Sequence, residues 1–200
     1  MRTSILGTYF LASPDEHEHG MRWYDRANDQ AIKLAASAGI AVSTAAGVIA
    51  ALSPNNAWDR NLIDAYNIVR SYVEHGRDDA TLVKVGTYGL NKDKAIRILD
   101  GTDPWDAIGG LKVRSFFRLI LDPLADDVCI DGHAYSIWKG ERVATSKVPK
   151  ITAKLYAQIQ QDYRECASIV SGIKGQKVTP SQLQAITWTV HRNLYRGVRG

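Results

Sequence analysis

Cysteine is scarce in this 200-residue chain, with Cys129 and Cys166 the only two. Two thiols cannot build a four-cysteine zinc cage or hold a four-iron cluster, and they fit a reducing, cytoplasmic setting. Long apolar runs are missing too: no stretch of about eighteen apolar residues occurs, so no membrane span is expected. The N-terminal MRTSILGTYFLASPDEHEH holds only a short apolar patch. It runs into acids and histidines rather than a cleavage region, which argues against a signal peptide. Alternating β-branched runs bounded by turns are scarce, and no internal repeat or low-complexity segment is visible. His17-Glu18-His19 is the one metal-like cluster. Two histidines two positions apart do not share a helix face, and no third ligand is evident, so a surface loop and no metal site are expected there.

What is present is helical patterning with a modest positive charge. The formal net charge is +4, and the isoelectric point is about 9.0. That balance permits nucleic-acid binding without establishing it. Its distribution is more pointed: the closing HRNLYRGVRG carries Arg192, Arg196 and Arg199 with no acid, just after Lys174 and Lys177. Such a tail grips phosphates or is a solvated terminus, and both readings stand at this level.

Along the chain, Trp23, Ala27, Ala31, Leu34 and Ala38 predict one helix through Gly20–Ala38, closed by Gly39. Ser43-Thr44 opens a small-residue helix, STAAGVIAAL, that lets neighbours approach closely and belongs at the centre of a core. A polar turn, Pro54 to Asn61, leads into a helix over Leu62–His75. Further on, Pro149–Tyr163 is expected to be helical, and Gly172–Pro180 to be a basic loop. Thr179 then caps a last helix, with Pro180 in its first turn. On that helix Leu183, Ile186, Trp188, Val190 and Leu194 read as core, and Gln184, Thr187, His191 and Arg192 as a polar stripe.

The stretch Trp105–Trp138 organises the rest. Gly109 and Gly110 sit where the chain must reverse. Leu111 opens an apolar helix with Lys112 in its first turn, and Pro123 ends it. Val128-Cys129-Ile130 then delivers Asp131 to the cap of the next helix. A glycine turn at a helix start points unpaired N–H groups outward, a natural phosphate cradle. If the two helices fold back antiparallel, Lys112 and Asp131 can face one cleft. On the residues alone, an ordinary helical hairpin with Lys112 in solvent and Asp131 as a cap is the favoured explanation of the stretch.

These segments resemble the helix-hairpin-helix DNA glycosylases of the endonuclease III superfamily. Gly110-Leu111-Lys112 falls on that family's Gly-x-Lys hairpin, and Ile130-Asp131-Gly132-His133 on the segment carrying its catalytic acid. Ala51-Leu52-Ser53-Pro54-Asn55 resembles the Leu-Ser-Ala-Gln segment whose glutamine enters the DNA stack. Gly86-Thr87-Tyr88 with Lys94-Ala95-Ile96-Arg97-Ile98 resembles the segment before the hairpin. Two positions depart: Ile108 stands where the family has an earlier glycine, and Ser136 where it has an arginine. The family's four-cysteine C-terminal loop has no counterpart. The ending of the chain, with Gly20–Tyr24 and Ser53–Asn56, looks like phage-encoded relatives of the same fold, some of which are thought to attach amines to activated thymine in DNA.

The resemblance implies an all-α glycosylase-like fold, a single domain over 1–200 with two helical lobes around a DNA- and base-binding cleft. One lobe, about 40–139, would hold the hairpin, and the N- and C-terminal helices the other. It implies a partner, double-stranded DNA, in a bacterial or phage-infected cell. No cofactor and no iron–sulfur cluster are expected, although the hairpin admits a monovalent cation. It further implies Asp131 and Lys112 as catalytic residues, with Asn55, Asn56, Gly109, Gly110, Arg114, His133, Arg192 and Arg196 against DNA. Asp131 would stabilise charge at the sugar of a flipped nucleotide, and Lys112 would attack C1′ in a lyase step. Two other functions stay open: transfer of an amine to an activated thymine, with Asp131 as base, and a non-catalytic DNA-binding module.

Overall fold

A computed structural model describes residues 1–144 and 147–195. Among them are twelve α-helices and no strand, so the protein is all-α. In chain order the helices are α1 (Arg2–Phe10), α2 (Pro14–Met21), α3 (Trp23–Ala38), α4 (Val42–Leu52), α5 (Trp58–His75) and α6 (Arg77–Leu82). There follow α7 (Gly89–Leu99), α8 (Pro104–Ala107), α9 (Leu111–Leu121), α10 (Gly132–Lys139), α11 (Ala153–Lys174) and α12 (Pro180–Leu194). The chain forms two compact units: Met1–Tyr24 with Leu124–Gly200, and Asp25–Pro123. The expected hairpin lobe of 40–139 is thereby redrawn. The divide falls after Pro123, so Asp131 and α10 belong with the terminal helices.

The unit Asp25–Pro123 is built on α4. Every residue from Ala45 to Leu52 is buried, and α5, α7, α8 and α9 pack around this helix. Its small side chains let the neighbours close in, as the alanine-rich sequence suggests. Asn61 on α5, itself buried, donates through Nδ2 to the Ile49 carbonyl at 3.0 Å. The helix that contains Asn61 begins at Trp58, one turn before the expected Leu62.

The other unit buries a core of Ile5 and Tyr9 from α1, Val128 and Ile130 from the segment before α10, Ile137 and Trp138, then Tyr156, Ile159, Tyr163, Leu183 and Ile186. Trp138 Nε1 donates to Asp162 at 2.7 Å, and Arg2 pairs with both Asp162 and Glu165. The expected helix over Pro149–Tyr163 instead starts at Ala153, where Thr152 caps it, and continues to Lys174.

His17–His19 is helical rather than a loop. Ser13 accepts from the Glu16 N–H at 3.3 Å while Glu16 Oε2 accepts from the Ser13 N–H at 2.9 Å. This reciprocal cap, with Pro14 in the first turn, starts α2. The single helix expected over Gly20–Ala38 is likewise broken at Arg22. Gly20 is what lets α2 lie against α12: a Cβ there would stand 2.5 Å from the Ile186 Cα. Because that neighbour is backbone, it cannot swing aside. Gly20→Ala should therefore force the two helices apart and cost about 1–3 kcal/mol. For a chain of this size that is a melting-point drop of roughly 3–10 °C, read by circular dichroism. An unchanged melting point would show that the α2–α12 contact is slack.

Candidate active site

Asp131 is presented by a strap, Asp127–Ile130, that is hydrogen-bonded to α11. Tyr156 Oη accepts from the Ile130 N–H at 3.0 Å and donates to the Val128 carbonyl at 3.1 Å. Gln160 Nε2 donates to that carbonyl at 3.0 Å and to Asp127 Oδ1 at 2.6 Å. These bonds to α11 hold the strap in place without a sheet. It ends with Asp131 as the cap of α10, Oδ1 accepting from the Ala134 N–H at 2.8 Å. Its other oxygen, Oδ2, accepts from Trp188 Nε1 at 3.0 Å. The carboxylate is thus held by two N–H donors from two helices, half-buried, at the positive end of α10.

Positions 184, 188, 191 and 195 recur at helical spacing, and this face meets Asp131 through Trp188, Tyr24 through Gln184 and His133 through His191. His191 Nδ1 lies 3.1 Å from His133 Nδ1, and the His133 ring meets Trp188 edge-on at 5.9 Å. Trp23 meets Trp188 at 6.4 Å. The Arg192 guanidinium lies over the Trp188 ring at 4.6 Å, and Arg142 over Tyr195 at 4.9 Å. The result is a carboxylate bonded to a partly exposed indole, on which Trp23, His133 and the Arg192 guanidinium pack. Beneath it, Tyr24 donates to Gln184 Oε1 at 3.1 Å. Burial, followed by nearby Cys129 and Asp131, raises the Tyr24 phenol well above its usual range, so it stays neutral.

His191 is pushed down to about 4, first by burial and then by His133, with Asp131 opposing and Arg142 assisting. In the unfolded chain it titrates near its ordinary 6.5, so the unfolded state binds the extra proton. The stabilisation from its neutral burial is complete above 6.5 and is lost as pH falls towards 4. Urea unfolding at pH 7 and pH 5 should show the lower stability at pH 5, with the difference reduced in His191→Gln. An equal difference in that variant would place the acid lability elsewhere.

The remaining expected residues lie in the unit Asp25–Pro123. The turn Ile108–Gly110 joins α8 to α9, with Gly110 at φ 80° and ψ 141°, a backbone position that favours glycine. Gly109 and Gly110 are exposed, and Lys112 is exposed in the first turn of α9. Arg114 is turned back onto the turn: Nε donates to the Ile108 carbonyl at 3.0 Å, Nη2 to the Trp105 carbonyl at 3.1 Å, and the group stacks on the Trp105 ring. Its work in this structure is to hold the hairpin. Ile108, in the place of a family glycine, buries its side chain. Ser136, in the place of a family arginine, is buried and donates to the Gly132 carbonyl.

Asn55 is exposed and is the only non-glycine with positive φ among the described residues. Its Nδ2 donates to Tyr88 Oη at 3.1 Å. Asn56 faces inward instead, donating to the Leu52 carbonyl and to Asp64. Asp64 has no exposed side-chain surface and also accepts from Arg60 Nε at 2.7 Å and the Gly86 N–H at 2.7 Å. Thr87 Oγ1 donates to the Pro54 carbonyl at 2.6 Å. The loop carrying Asn55 is therefore clamped to Gly86–Tyr88 through one buried acid.

Lys112 and Asp131 fall in different units. Asp131, His133 and Arg192 are brought together, while Arg196 lies outside the described residues. The sequence marks Trp188 as core and His191 as part of a polar stripe; only the fold shows that Trp188 binds the acid and that His191 meets His133. No group of three or more metal-ligating side chains occurs among the described residues, and no helix among them is long and apolar enough to cross a membrane.

No curated protein and no solved structure matches this chain. Residues 1–195 match the family described as "Family of unknown function (DUF7178)", and the chain belongs to that family.

Proposed function

We propose that this protein is a DNA base-processing enzyme that flips a nucleotide out of the duplex and excises a modified or damaged base, with Asp131 as its catalytic carboxylate. The observation that carries this reading is the setting of Asp131: two N–H donors fix its oxygens, one of them from Trp188, and Trp23 and His133 pack on the Trp188 ring. A fixed carboxylate is suited to stabilise positive charge developing at C1′ as the glycosidic bond breaks. Flat rings beside it suit the stacking of an extruded base. Gly110 and the start of α9 offer N–H groups to a phosphate, and Asn55, raised on its clamped loop, is the wedge that fills the gap. Lys112 is the nucleophile for an accompanying lyase step. Borohydride trapping of wild type but not Lys112→Gln on substrate DNA tests that role.

A second reading changes the reaction and keeps the site: transfer of an amine to an activated thymine in DNA. The neutral His191 beside Asp131 favours it, since an incoming ammonium must lose a proton before it attacks. Nucleoside mass spectrometry after incubation with damaged and hypermodified duplexes separates the readings. Free base supports excision, a heavier nucleoside supports transfer, and unchanged DNA with retained binding leaves a binding module.

Duplex binding under this reading is mainly electrostatic. Each phosphate contact contributes about 0.9 to the slope of log affinity against log salt. Replacing Arg192, Arg196 and Arg199 together by alanine should flatten that slope by roughly 2–3. A slope equal to wild type would remove the basic tail from the interface.

A further inference from the structure

Two imidazoles share a short contact that the excision reading does not use. His133 Nδ1 and His191 Nδ1 are 3.1 Å apart, with ring centroids 5.2 Å apart and planes at 76°. A contact of that length between two ring nitrogens needs a proton on one and a lone pair on the other. Linking the two Nδ1 atoms fixes what is left over. When both rings are neutral, the donor ring presents a bare Nε2 and the acceptor ring presents an Nε2–H. The pair therefore always offers one proton acceptor and one proton donor. A proton arriving at the bare Nε2 is tolerated, because the bridging N–H can move between the rings and spread the charge. A second proton would set two N–H groups against each other across 3.1 Å.

We infer that His133 and His191 act as a one-proton acid–base pair, which takes the proton from the nucleophile that attacks at Asp131. This rests on the base-excision reading. Water is the nucleophile in the simplest case. One of its O–H bonds breaks as its oxygen bonds to C1′, and the released proton goes to the bare Nε2. The C1′–N bond breaks with its electron pair passing to the base, which collects a proton from solvent. The pair then returns its extra proton to solvent.

The groups around the pair suit a device that holds one charge. Asp131, at the start of α10, favours a proton on His191, and Arg142, in the segment after α10, opposes one. From the α12 side, Tyr195 packs on His191 at 4.7 Å, and Arg192 lies over Trp188. From α2, Glu16 is occupied by Asn193 and Ser13. Burial first, and then His133, hold His191 down to about 4, and the His133 contribution agrees with a pair that resists its second proton.

Nitrogen-15 spectra of the imidazole rings in the intact protein, assigned with His133→Gln and His191→Gln, test the pairing directly. The expected result is one step in which both rings shift together, and a second near pH 4. Two independent steps, each like an isolated histidine, overturn the proposal whatever the activity. The catalytic half is read from single-turnover rates against pH. His191→Gln should lose about 10²-fold or more and flatten the acidic limb of the profile. An active His191→Gln with the wild-type profile overturns the proposal and leaves Asp131 standing. Wild type inert on every duplex, with the rings still titrating as one, overturns base excision and with it the pair's catalytic role. Because the spectra are taken on wild type, and the pair is also assigned by elimination with His17→Gln, His19→Gln and His75→Gln, a His191→Gln variant that fails to fold does not remove the test.

Discussion

Asp131→Asn should lower base processing by about 10²–10³-fold or more while leaving the protein folded and able to bind DNA. The magnitude is that of removing one fixed electrostatic stabiliser from a charge-developing transition state. The structural cost is smaller and has a defined origin. Asparagine keeps one oxygen, which can accept from Ala134 N–H or from Trp188 Nε1, but not from both at their present positions. Whichever donor it abandons faces an NH₂ group, a loss of about 1–3 kcal/mol. The aspartate also stabilises α10 as its cap, a role asparagine fills nearly as well. Circular dichroism should show a folded variant with a slightly lower melting point, and duplex binding within a few-fold of wild type. Full activity in this variant would reduce Asp131 to a cap.

The second large effect is on stability and lies in the other unit. Asp64→Ala removes a fully buried carboxylate that holds Arg60, Asn56 and the Gly86 N–H. Arg60 is half-exposed and can turn to water, so its loss counts for little. The Gly86 N–H loses its acceptor, while Asn56 Nδ2 keeps the Leu52 carbonyl. Losing the bonds to a charged acceptor costs about 1–3 kcal/mol, and with the small cavity left at the buried Asp64 the sum is roughly 2–4 kcal/mol. Urea unfolding followed by tryptophan fluorescence suits the measurement, because Trp58 and Trp105 report on this unit. A loss under about 1 kcal/mol would mean that water replaces the carboxylate freely. The consequence for function follows from what Asp64 clamps. With the Pro54–Asn56 loop released from Gly86–Tyr88, Asn55 loses its fixed left-handed position, and base processing should fall further than duplex binding.

Local signals in the sequence were good guides where a structure is decided locally. Gly110 before Leu111, Pro123 after α9, and Asp131 at the start of α10 each act within a turn of helix, and each element begins or ends where those residues stand. The Thr179-Pro180 start of α12 is of the same kind. Ser13-Pro14-Asp15-Glu16 carries an equally clear capping signal, but it precedes too few apolar residues to read as helix. Its helix exists because Gly20 lets it lie on Ile186, a contact across the chain. The site was only half legible for the same reason. Asp131 stands in a recognisable segment, whereas its partner Trp188 lies 57 residues away and looks like one more core aromatic. His191 looked like part of a polar stripe, and nothing local announces that it meets His133. The divide after Pro123 is a matter of which helices pack on which core, and spacing does not encode it.

The most direct test of the central claim is nucleoside mass spectrometry on duplexes carrying damaged and hypermodified bases, each incubated with wild type and with Asp131→Asn in parallel. Catalysis at Asp131 predicts free base released by wild type from at least one duplex, and none above background from the folded, DNA-binding variant. Intact DNA from every wild-type reaction, or equal release by both proteins, would contradict it.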